Sequence, residues 1–499
     1  NFVTDLWDPS DAPPVRGKGT RVSGTGNFCN GIIVNTQNFQ TGPPAYNCSP
    51  TPSPYGRFIY DSPKNNFAPR IGLAWDPFGK GTTAIRTGYG IYHEQVLVGS
   101  VELHLGANPP YQETITVSGT RLDQPIPAGS TPTVVASENP PNLIRGWEPN
   151  FQTPYMQHWS LDVQHQLDSK TIFTVGYYGS KGTNLIGIVD INNLAPGFAR
   201  QQQCATGTST TPTVACQQTD SGTGLPVVFT SSASELILDQ IRPYKGWRNV
   251  AMIEPAFDSN YHSLQVSATR RFTGASQVQL AYTWSKNLTN NQTDRSTAPQ
   301  DSHNFDGEWG RAQLDRRHIL TVNYIYELPW FSNRHDLVGN ILGGWQFSGI
   351  VTYQTGLPFT VTYGSFDPAG IGFLGASPAG GRAYVLSNPN EGGAQTQQQW
   401  FNTSAFMGTP APTSFAGIPG TASRGIVNGP PTFRTDLTLT KNIRFTESMS
   451  LQLRGEAFNV FNRTNFTGFG TAASTPSTFG VVNGARDPRV LQFGIKFYF

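Results

Sequence analysis

A two-residue alternation of apolar and polar side chains, repeated along most of the chain, is the feature that most constrains its fold. In the C-terminal segment every second side chain is apolar, which places these residues on one face of a strand. They are Leu491, Phe493, Ile495, Phe497 and Phe499. The same alternation covers 70–76, 82–93, 155–167, 171–179, 260–272, 277–285, 320–328, 345–354, 433–445 and 448–461. The sequence therefore predicts about eleven β-strands.

The composition also favours an all-β fold. Only 13% of residues are charged, against about 25% in soluble domains, and the chain contains 53 Gly and 38 Pro. Gly and Pro are poor helix formers, and an aromatic content of 12% argues against disorder. The sequence contains no run of about 18 apolar residues, so a membrane-spanning helix is excluded. The net charge is only +2, and basic and acidic residues are mixed along the chain, so the sequence lacks the basic patch that is typical of nucleic-acid-binding proteins.

The connections between the predicted strands alternate between short and long. The turns near 77–81, 168–170, 273–275 and 446–447 are tight, although the short-side connection at 329–343 is longer. The long segments are 94–153, 181–258, 288–315, 357–431 and 463–488. Every long connection therefore lies at the same end of the sheet, as in outer-membrane barrels with short periplasmic turns and long extracellular loops. The predicted fold is an antiparallel transmembrane β-barrel in the outer membrane of a Gram-negative bacterium.

The two faces of such a barrel have different predicted surroundings. Aromatic residues gather near the short turns (Trp75, Phe272, Trp330, Phe331, Trp345) and towards the loops (Tyr155, Trp159, Tyr177, Tyr261, Trp284), which suits the two headgroup levels of a bilayer. Polar residues on the other face would line a wet interior. On the last hairpin we expect a lumenal charge cluster of Arg434, Asp436, Arg454 and Glu456. The alternation slips within 448–461, which predicts a β-bulge there.

The N-terminus bears on processing of the chain, and the cysteines favour an oxidising compartment. The sequence begins Asn1-Phe2-Val3 without an initiator Met or a signal peptide, so either a signal was removed or the chain is an internal fragment. Cys29 and Cys48 flank one polar segment, and Cys204 and Cys216 flank another. Two local disulfides are the simple interpretation, with free thiols as the alternative.

Several motifs resemble TonB-dependent outer-membrane receptors, and most closely their Oar-like branch. They begin with Asn65-Asn-Phe-Ala-Pro-Arg-Ile-Gly-Leu-Ala-Trp75, Asp315-Arg-Arg-His318, Gly343-Gly-Trp-Gln346 and Thr355-Gly-Leu-Pro-Phe359. Gly455-Glu-Ala-Phe-Asn-Val-Phe-Asn462, Asn465-Phe466 and Arg486-Asp-Pro-Arg489 follow in the same order as in that family. The resemblance runs from about residue 57 to the end of the chain.

This resemblance implies a 22-stranded barrel, of which residues 57–499 would form the C-terminal half and residues 1–56 an extracellular loop region. The plug, the TonB box, the regulatory-like domain and the earlier strands would then precede Asn1. The expected partners are outer-membrane lipid, the barrel-assembly machinery, TonB acting through the upstream plug, and an unidentified extracellular ligand. The apolar residues 491, 493, 495, 497 and 499 of the closing strand would form its assembly signal.

No motif for catalysis or for a cofactor is present, so neither an enzymatic role nor a cofactor is expected. The chain lacks a nucleophile elbow, a Walker loop, an H-E-x-x-H motif and a dinucleotide fingerprint. Its eight histidines are scattered. The acidic segment from Asp301 to Glu308 offers oxygen ligands but lacks the position pattern of a calcium loop.

Three functions are compatible with these features. The first is the barrel of an energy-coupled transporter, the second a structural or adhesive surface protein with binding loops, and the third a soluble secreted carbohydrate-binding β-protein. Five loop aromatics could contact a ligand such as a sugar, although such rings could equally pack the loops onto each other. They are Trp147, Tyr244, Trp247, Trp309 and Trp400.

Overall fold

A computed structural model provides the coordinates of the chain. It describes residues 1–11, 15–16, 20–21, 27, 29–34, 50–56, 58–61, 63–94, 108, 143–197, 242–244, 247, 249–293, 298–331, 334, 337–364, 369, 371–372, 381–408, 418–446 and 448–499. Among these residues, no helix is both long enough and apolar enough to cross a bilayer.

Eleven strands form one continuous antiparallel meander, in which each strand pairs with the next along the chain. They are β1 (Arg70–Trp75), β2 (Thr83–His93), β3 (Tyr155–Asp168), β4 (Thr171–Asp190), β5 (Asn249–Arg271), β6 (Gln277–Thr289), β7 (His318–Glu327), β8 (Trp345–Gln354), β9 (Thr432–Arg444), β10 (Ser450–Phe458) and β11 (Val490–Tyr498). The predicted number of strands is confirmed. The edge strands β1 and β11 do not pair with each other, and all of their residues are exposed.

Shorter strands and helices accompany this sheet. Leu143–Trp147 pairs in parallel with the start of β5, and Gly310–Arg311 pairs with β6. Separate two-stranded pairs join Val15–Arg16 to Thr20–Arg21, Ile33–Val34 to Thr51–Pro52, Pro358–Phe359 to Val427–Asn428, and Phe466–Phe469 to Val482–Ala485. The short helices are the α-helix Leu337–Leu342 and the 3-10 helices Thr4–Leu6, Asp306–Glu308 and Thr403–Ala405.

The register keeps apolar side chains on one face across the whole sheet. One row of paired residues runs Leu161, Tyr177, Leu264 and Trp284 through β3 to β6. This apolar face has no second layer against it in the described part of the chain, because residues such as Leu161 (49% exposed), Trp284 (50%) and Ile495 (78%) remain open. A soluble sheet would have to cover such a face, whereas lipid would solvate it.

Several polar groups on the apolar face have cross-strand partners. The hydroxyl of Tyr177 lies 2.7 Å from His262 Nδ1, and the hydroxyl of Tyr282 lies 2.8 Å from His318 Nδ1. Tyr89 donates a hydrogen bond of 2.7 Å to Gln157. Pairing of this kind suits a low-dielectric environment, where an unpaired polar group is costly.

Short connections lie at one end of the sheet and long ones at the other, as predicted. The tight turn after β1 is closed by Asp76, whose carboxylate accepts N–H bonds from Phe78, Gly79 and Gly81. At the loop end, β4 and β5 are longer than the predicted segments 171–179 and 260–272. A tilted strand needs about 9–11 residues to cross a bilayer. The extensions 181–190 and 249–258 are additional to that length and continue into the loop end.

The bulge predicted within 448–461 is wrong. Strand β10 pairs with both of its neighbours without a register shift. The apparent slip arises because Phe458 points to the polar face, where the Arg434 guanidinium lies 6.0 Å from its ring centroid. Val460 lies beyond the strand, after Asn459, which has a positive φ of 50° and begins the turn.

The buried hydrophobic residues lie at the loop end, in the long loops and in the extensions of β4 and β5. The largest cluster contains Tyr363, Tyr384, Trp400, Phe401 and Phe469, which come from the two loops after β8 and β10. A second cluster packs Phe2 and Ile32 of the N-terminal segment against Val250 and Met252 in the extension of β5. The long loops therefore fold into a structured layer at one end of the sheet.

Candidate functional site

The polar face of the sheet is the first candidate site. Its side chains alternate with those of the apolar face, and several are joined in ion pairs or hydrogen bonds. Arg86 on β2 lies 3.7 Å from Asp162 on β3 and donates a 2.8 Å hydrogen bond to Gln164. Asn323 on β7 donates to Gln279 on β6 at 3.3 Å. Such a surface is suited to line a wet compartment.

The four residues of the expected lumenal charge cluster all lie on this polar face, as two separate pairs. Arg434 Nε contacts both carboxylate oxygens of Asp436, at 2.7 and 2.9 Å. Arg454 lies 2.8 Å from Glu456. Each pair joins residues two apart on one strand, and no ion pair among these four residues joins β9 to β10. The pairs neutralise charge locally, strand by strand.

A hollow of about 590 Å³ lies on the polar face of β1 to β5. Its floor is formed by backbone at Gly72 and Gly88, which have no side chain to fill the space, whereas the Tyr92 ring lies over Gly90. Around the floor stand Arg70, Tyr92, His158, Ser160, Tyr178, Ser180 and Tyr261. The register aligns these residues: Arg70, Gly90, His158, Ser180 and Tyr261 are paired neighbours across five strands.

The sequence patterns did not single out this hollow. Tyr261 was expected in the loop-side aromatic belt, but it points to the polar face and lines the hollow. The strand predicted at 260–272 already placed Tyr261 on the same face as Ser263 and Gln265, and that parity was the signal that could have found it. The close spacing of Gly88 and Gly90 in β2 was a second signal, because adjacent glycines on one face leave a depression.

The candidate loop aromatics lie mostly inside the loop layer. Trp147, Trp247 and Trp400 are buried, with exposed fractions of 0%, 3% and 9%. Trp147 stacks on Tyr60 at 5.8 Å, and Trp400 Nε1 donates to the carbonyl of Asn428 at 2.9 Å. These three rings are not accessible to a ligand in this structure and instead pack the loops together. Tyr244 and Trp309 are half-buried.

A buried ion triad ties two of the long loops together. Glu308, in the loop after β6, is 1% exposed and accepts from Arg382 Nη1 at 2.7 Å. Its other carboxylate oxygen contacts the guanidinium of Arg424. Both arginines belong to the loop after β8. Because Glu308 is engaged by two arginines, it is not available as a cation ligand in the acidic segment 301–308.

Burial shifts the pKa values of two acidic groups in the loop layer. Glu254 lies in the extension of β5, and desolvation followed by the charge of Glu148 raises its pKa to about 7. Asp190, at the end of β4, is fully buried, and desolvation raises its pKa although Arg242 and Asn249 oppose the shift. Asp190 accepts from Asn249 Nδ2 at 2.5 Å and from Val250 N at 3.0 Å. Its contacts fix the end of β4 to the start of β5.

The remaining sites predicted from sequence lie partly outside the described residues. Cys29 is disulfide-bonded, whereas Cys48, Cys204 and Cys216 lie outside the described residues. The described part of the chain has no group of three His, Cys, Asp or Glu side chains placed to hold a metal ion. The apolar residues 491, 493, 495 and 497 of β11 share the exposed apolar face of the sheet.

One family model matches nearly the whole chain: the outer membrane beta barrel domain, over residues 18–492. No curated protein matches the chain.

Among solved structures, the outer membrane transporter YddB from Escherichia coli has a TM-score of 0.46 and 11% identity, covering 87% of this chain and 41% of that one. The FrpB iron transporter from Neisseria meningitidis has a TM-score of 0.39 and 9% identity, with coverages of 87% and 39%. The siderophore receptor PiuA from Acinetobacter baumannii has a TM-score of 0.38 and 9% identity, with coverages of 86% and 35%. The chain spans less than half the length of these three structures.

Proposed function

Because the chain belongs to the outer membrane beta barrel domain family, we propose that it forms part of the barrel wall of a TonB-dependent transporter. The family places it in the outer membrane of a Gram-negative bacterium. In the proposed role, the loop layer captures a solute outside the cell and the polar face guides it inwards. A plug upstream of this chain would open when TonB pulls on it.

The observation that carries this proposal is the contrast between the two faces of the sheet. The apolar face is exposed along its whole width, whereas the polar face carries paired charges, amides and hydroxyls. A sheet with this contrast separates lipid from a wet lumen, which a solute needs in order to pass. The motifs that resemble TonB-dependent receptors, from Asn65 to Arg489, support energy coupling.

Further parts of the proposal follow from the same resemblance. Residues 57–499 would supply the C-terminal half of the barrel, and residues 1–56 would belong to an extracellular loop region. The apolar residues of β11 and Phe499 would signal to the barrel-assembly machinery. Independently of the resemblance, the positions of the cysteines around two polar segments support disulfides between Cys29 and Cys48 and between Cys204 and Cys216, each closing a local loop.

Uptake by a deletion strain tests the proposal. We expect loss of the gene to abolish uptake of at least one nutrient, and expect an otherwise wild-type strain without TonB to lose the same uptake. Restoring the gene on a plasmid should restore uptake only when TonB is present. Unchanged uptake of every candidate nutrient in the deletion strain would contradict transport.

A structural or adhesive surface role is the second candidate, favoured by the compact loop layer. A transporter needs loops that can bind and release a solute, whereas the cluster around Tyr384, Phe401 and Phe469 is closed and aromatic. Binding of whole cells to surfaces, measured with and without the gene, distinguishes this candidate. The soluble carbohydrate-binding alternative is not proposed, because the exposed apolar face and the family assignment both place the chain in a membrane.

A further inference from the structure

We propose that the hollow on the polar face of β1 to β5 binds a uronate-containing oligosaccharide, that is, a sugar chain carrying carboxylates. Its volume of about 590 Å³ falls within the range of roughly 300–1,000 Å³ that is usual for small-molecule sites. This oligosaccharide would be the solute of the proposed transporter. Only its inward movement rests on the proposed function; its binding to the hollow does not.

The first argument is a concentration of hydrogen-bonding groups that the described chain does not satisfy. No side-chain hydrogen bond to another described residue is made by the hydroxyls of Tyr92, Ser160, Tyr178, Ser180 and Tyr261, or by the ring nitrogens of His158. Elsewhere on the same face some polar side chains are paired, as at Arg86 with Gln164 and Asn323 with Gln279. A hollow lined by free donors and acceptors is suited to a ligand that carries many hydroxyl groups.

The second argument is the flat shape of the wall. Two tyrosine rings lie along it, each over a glycine of its own strand. A Cβ atom at Gly90 would stand 2.9 Å from Tyr92 Cε2, and one at Gly176 would stand 2.6 Å from Tyr178 Cε2. These glycines let the rings lie against the sheet, where Tyr178 lines the hollow and the Arg70 guanidinium lies over Tyr92. The flat face of a tyrosine ring packs well against the C–H surface of a sugar ring.

The third argument is that Arg70 has no acidic partner among the described residues. The guanidinium of Arg70 lies 4.4 Å from the centroid of the Tyr92 ring, and no described acidic side chain pairs with it. The nearby Arg86 is instead paired with Asp162. Arg70 can therefore receive a carboxylate of the ligand in a bidentate contact.

The combination favours a sugar acid over an aromatic acid. An aromatic carboxylate could pair with Arg70, but it would leave most of the hydroxyls and His158 without partners. Desolvating those groups without new hydrogen bonds would cost affinity. A neutral sugar would satisfy the hydroxyls but not Arg70.

Calorimetric titration of the natural protein, purified in detergent, tests the inference with four probes: trigalacturonate, triglucuronate, galactotriose and benzoate. We expect saturable binding of at least one uronate, and binding weaker by about tenfold or more for galactotriose and benzoate. Arg70→Gln should weaken uronate binding by about tenfold without changing galactotriose binding. Arg271→Gln, which removes the same charge from the polar face near the short turns, should leave uronate binding unchanged.

A second variant fills the hollow without touching its charges. At Gly72 the nearest atom to an added Cβ is the Thr87 carbonyl at 3.7 Å, so Gly72→Leu fits the sheet and projects into the hollow. We expect it to weaken uronate binding by about tenfold or more while the protein keeps its heat-modifiable mobility. No saturable uronate binding, equal benzoate binding, or unchanged binding by Gly72→Leu would each overturn the inference. Because binding needs no energy source, failed uptake with intact binding would contradict transport alone.

Discussion

At the scale of single residues, the triad of Glu308, Arg382 and Arg424 should hold the loop layer together. Glu308→Gln would leave two buried guanidinium groups without a carboxylate. Removing one partner of a buried ion pair costs about 3–5 kcal/mol, so the loop layer should open more readily. Hydrogen exchange over 298–308, 381–384 and 418–425 should become more than about a hundredfold faster in this variant, since each 1.4 kcal/mol is a factor of ten.

The matched control is Glu391→Gln, which changes an exposed glutamate of the loop after β8. Its carboxylate accepts only from Asn388 Nδ2, at 2.6 Å, among the described residues. The cost should be within about 0.5 kcal/mol, because surface substitutions outside special features rarely exceed that value. Equal exchange rates in the two variants would show that the triad does not stabilise the loops.

At the scale of the strand, the two faces of β5 should respond oppositely to a new charge. Val266 lies on the apolar face between Val175 and Tyr282, and Gln265 lies on the polar face between Gly176 and Thr283. Val266→Arg should destabilise the protein by about 2–4 kcal/mol, the cost of an arginine facing lipid near the midplane. Gln265→Arg should be close to neutral. Guanidinium unfolding in lipid vesicles measures both, and equal costs would contradict the assignment of the faces.

The strands were predictable from sequence wherever one face contacts lipid, because that contact enforces strict alternation. Prediction stopped where the strands leave the bilayer: 181–190 and 249–258 are strands that pack into the loop layer, so both of their faces are partly buried and the alternation is lost. The ion triad could not be predicted from sequence either, because Glu308 and Arg382 are 74 residues apart and meet only through loop packing. Local periodicity carries no information about such contacts.

At the scale of the whole molecule, the number of strands restricts how the sheet can close. An odd number of antiparallel strands leaves β1 and β11 running in the same direction, from the loop end to the short-turn end. Direct pairing of the two edges, or head-to-tail pairing of two copies, would therefore create a parallel seam. A fully antiparallel barrel needs an odd number of additional strands. The eleven missing strands that the resemblance implies satisfy this condition.

Residues 1–499, exported alone to the outer membrane, should consequently fail to form a closed monomer. Both edges would expose unpaired backbone groups to lipid, which costs several kcal/mol for each group. We expect a protein that is degraded or aggregated and shows no heat-modifiable band. The natural polypeptide should show that band and a mass above the 54.4 kDa of this chain. A heat-modifiable monomer formed by residues 1–499 alone would mean that the sheet closes through a parallel seam, and the 22-strand architecture would then be wrong.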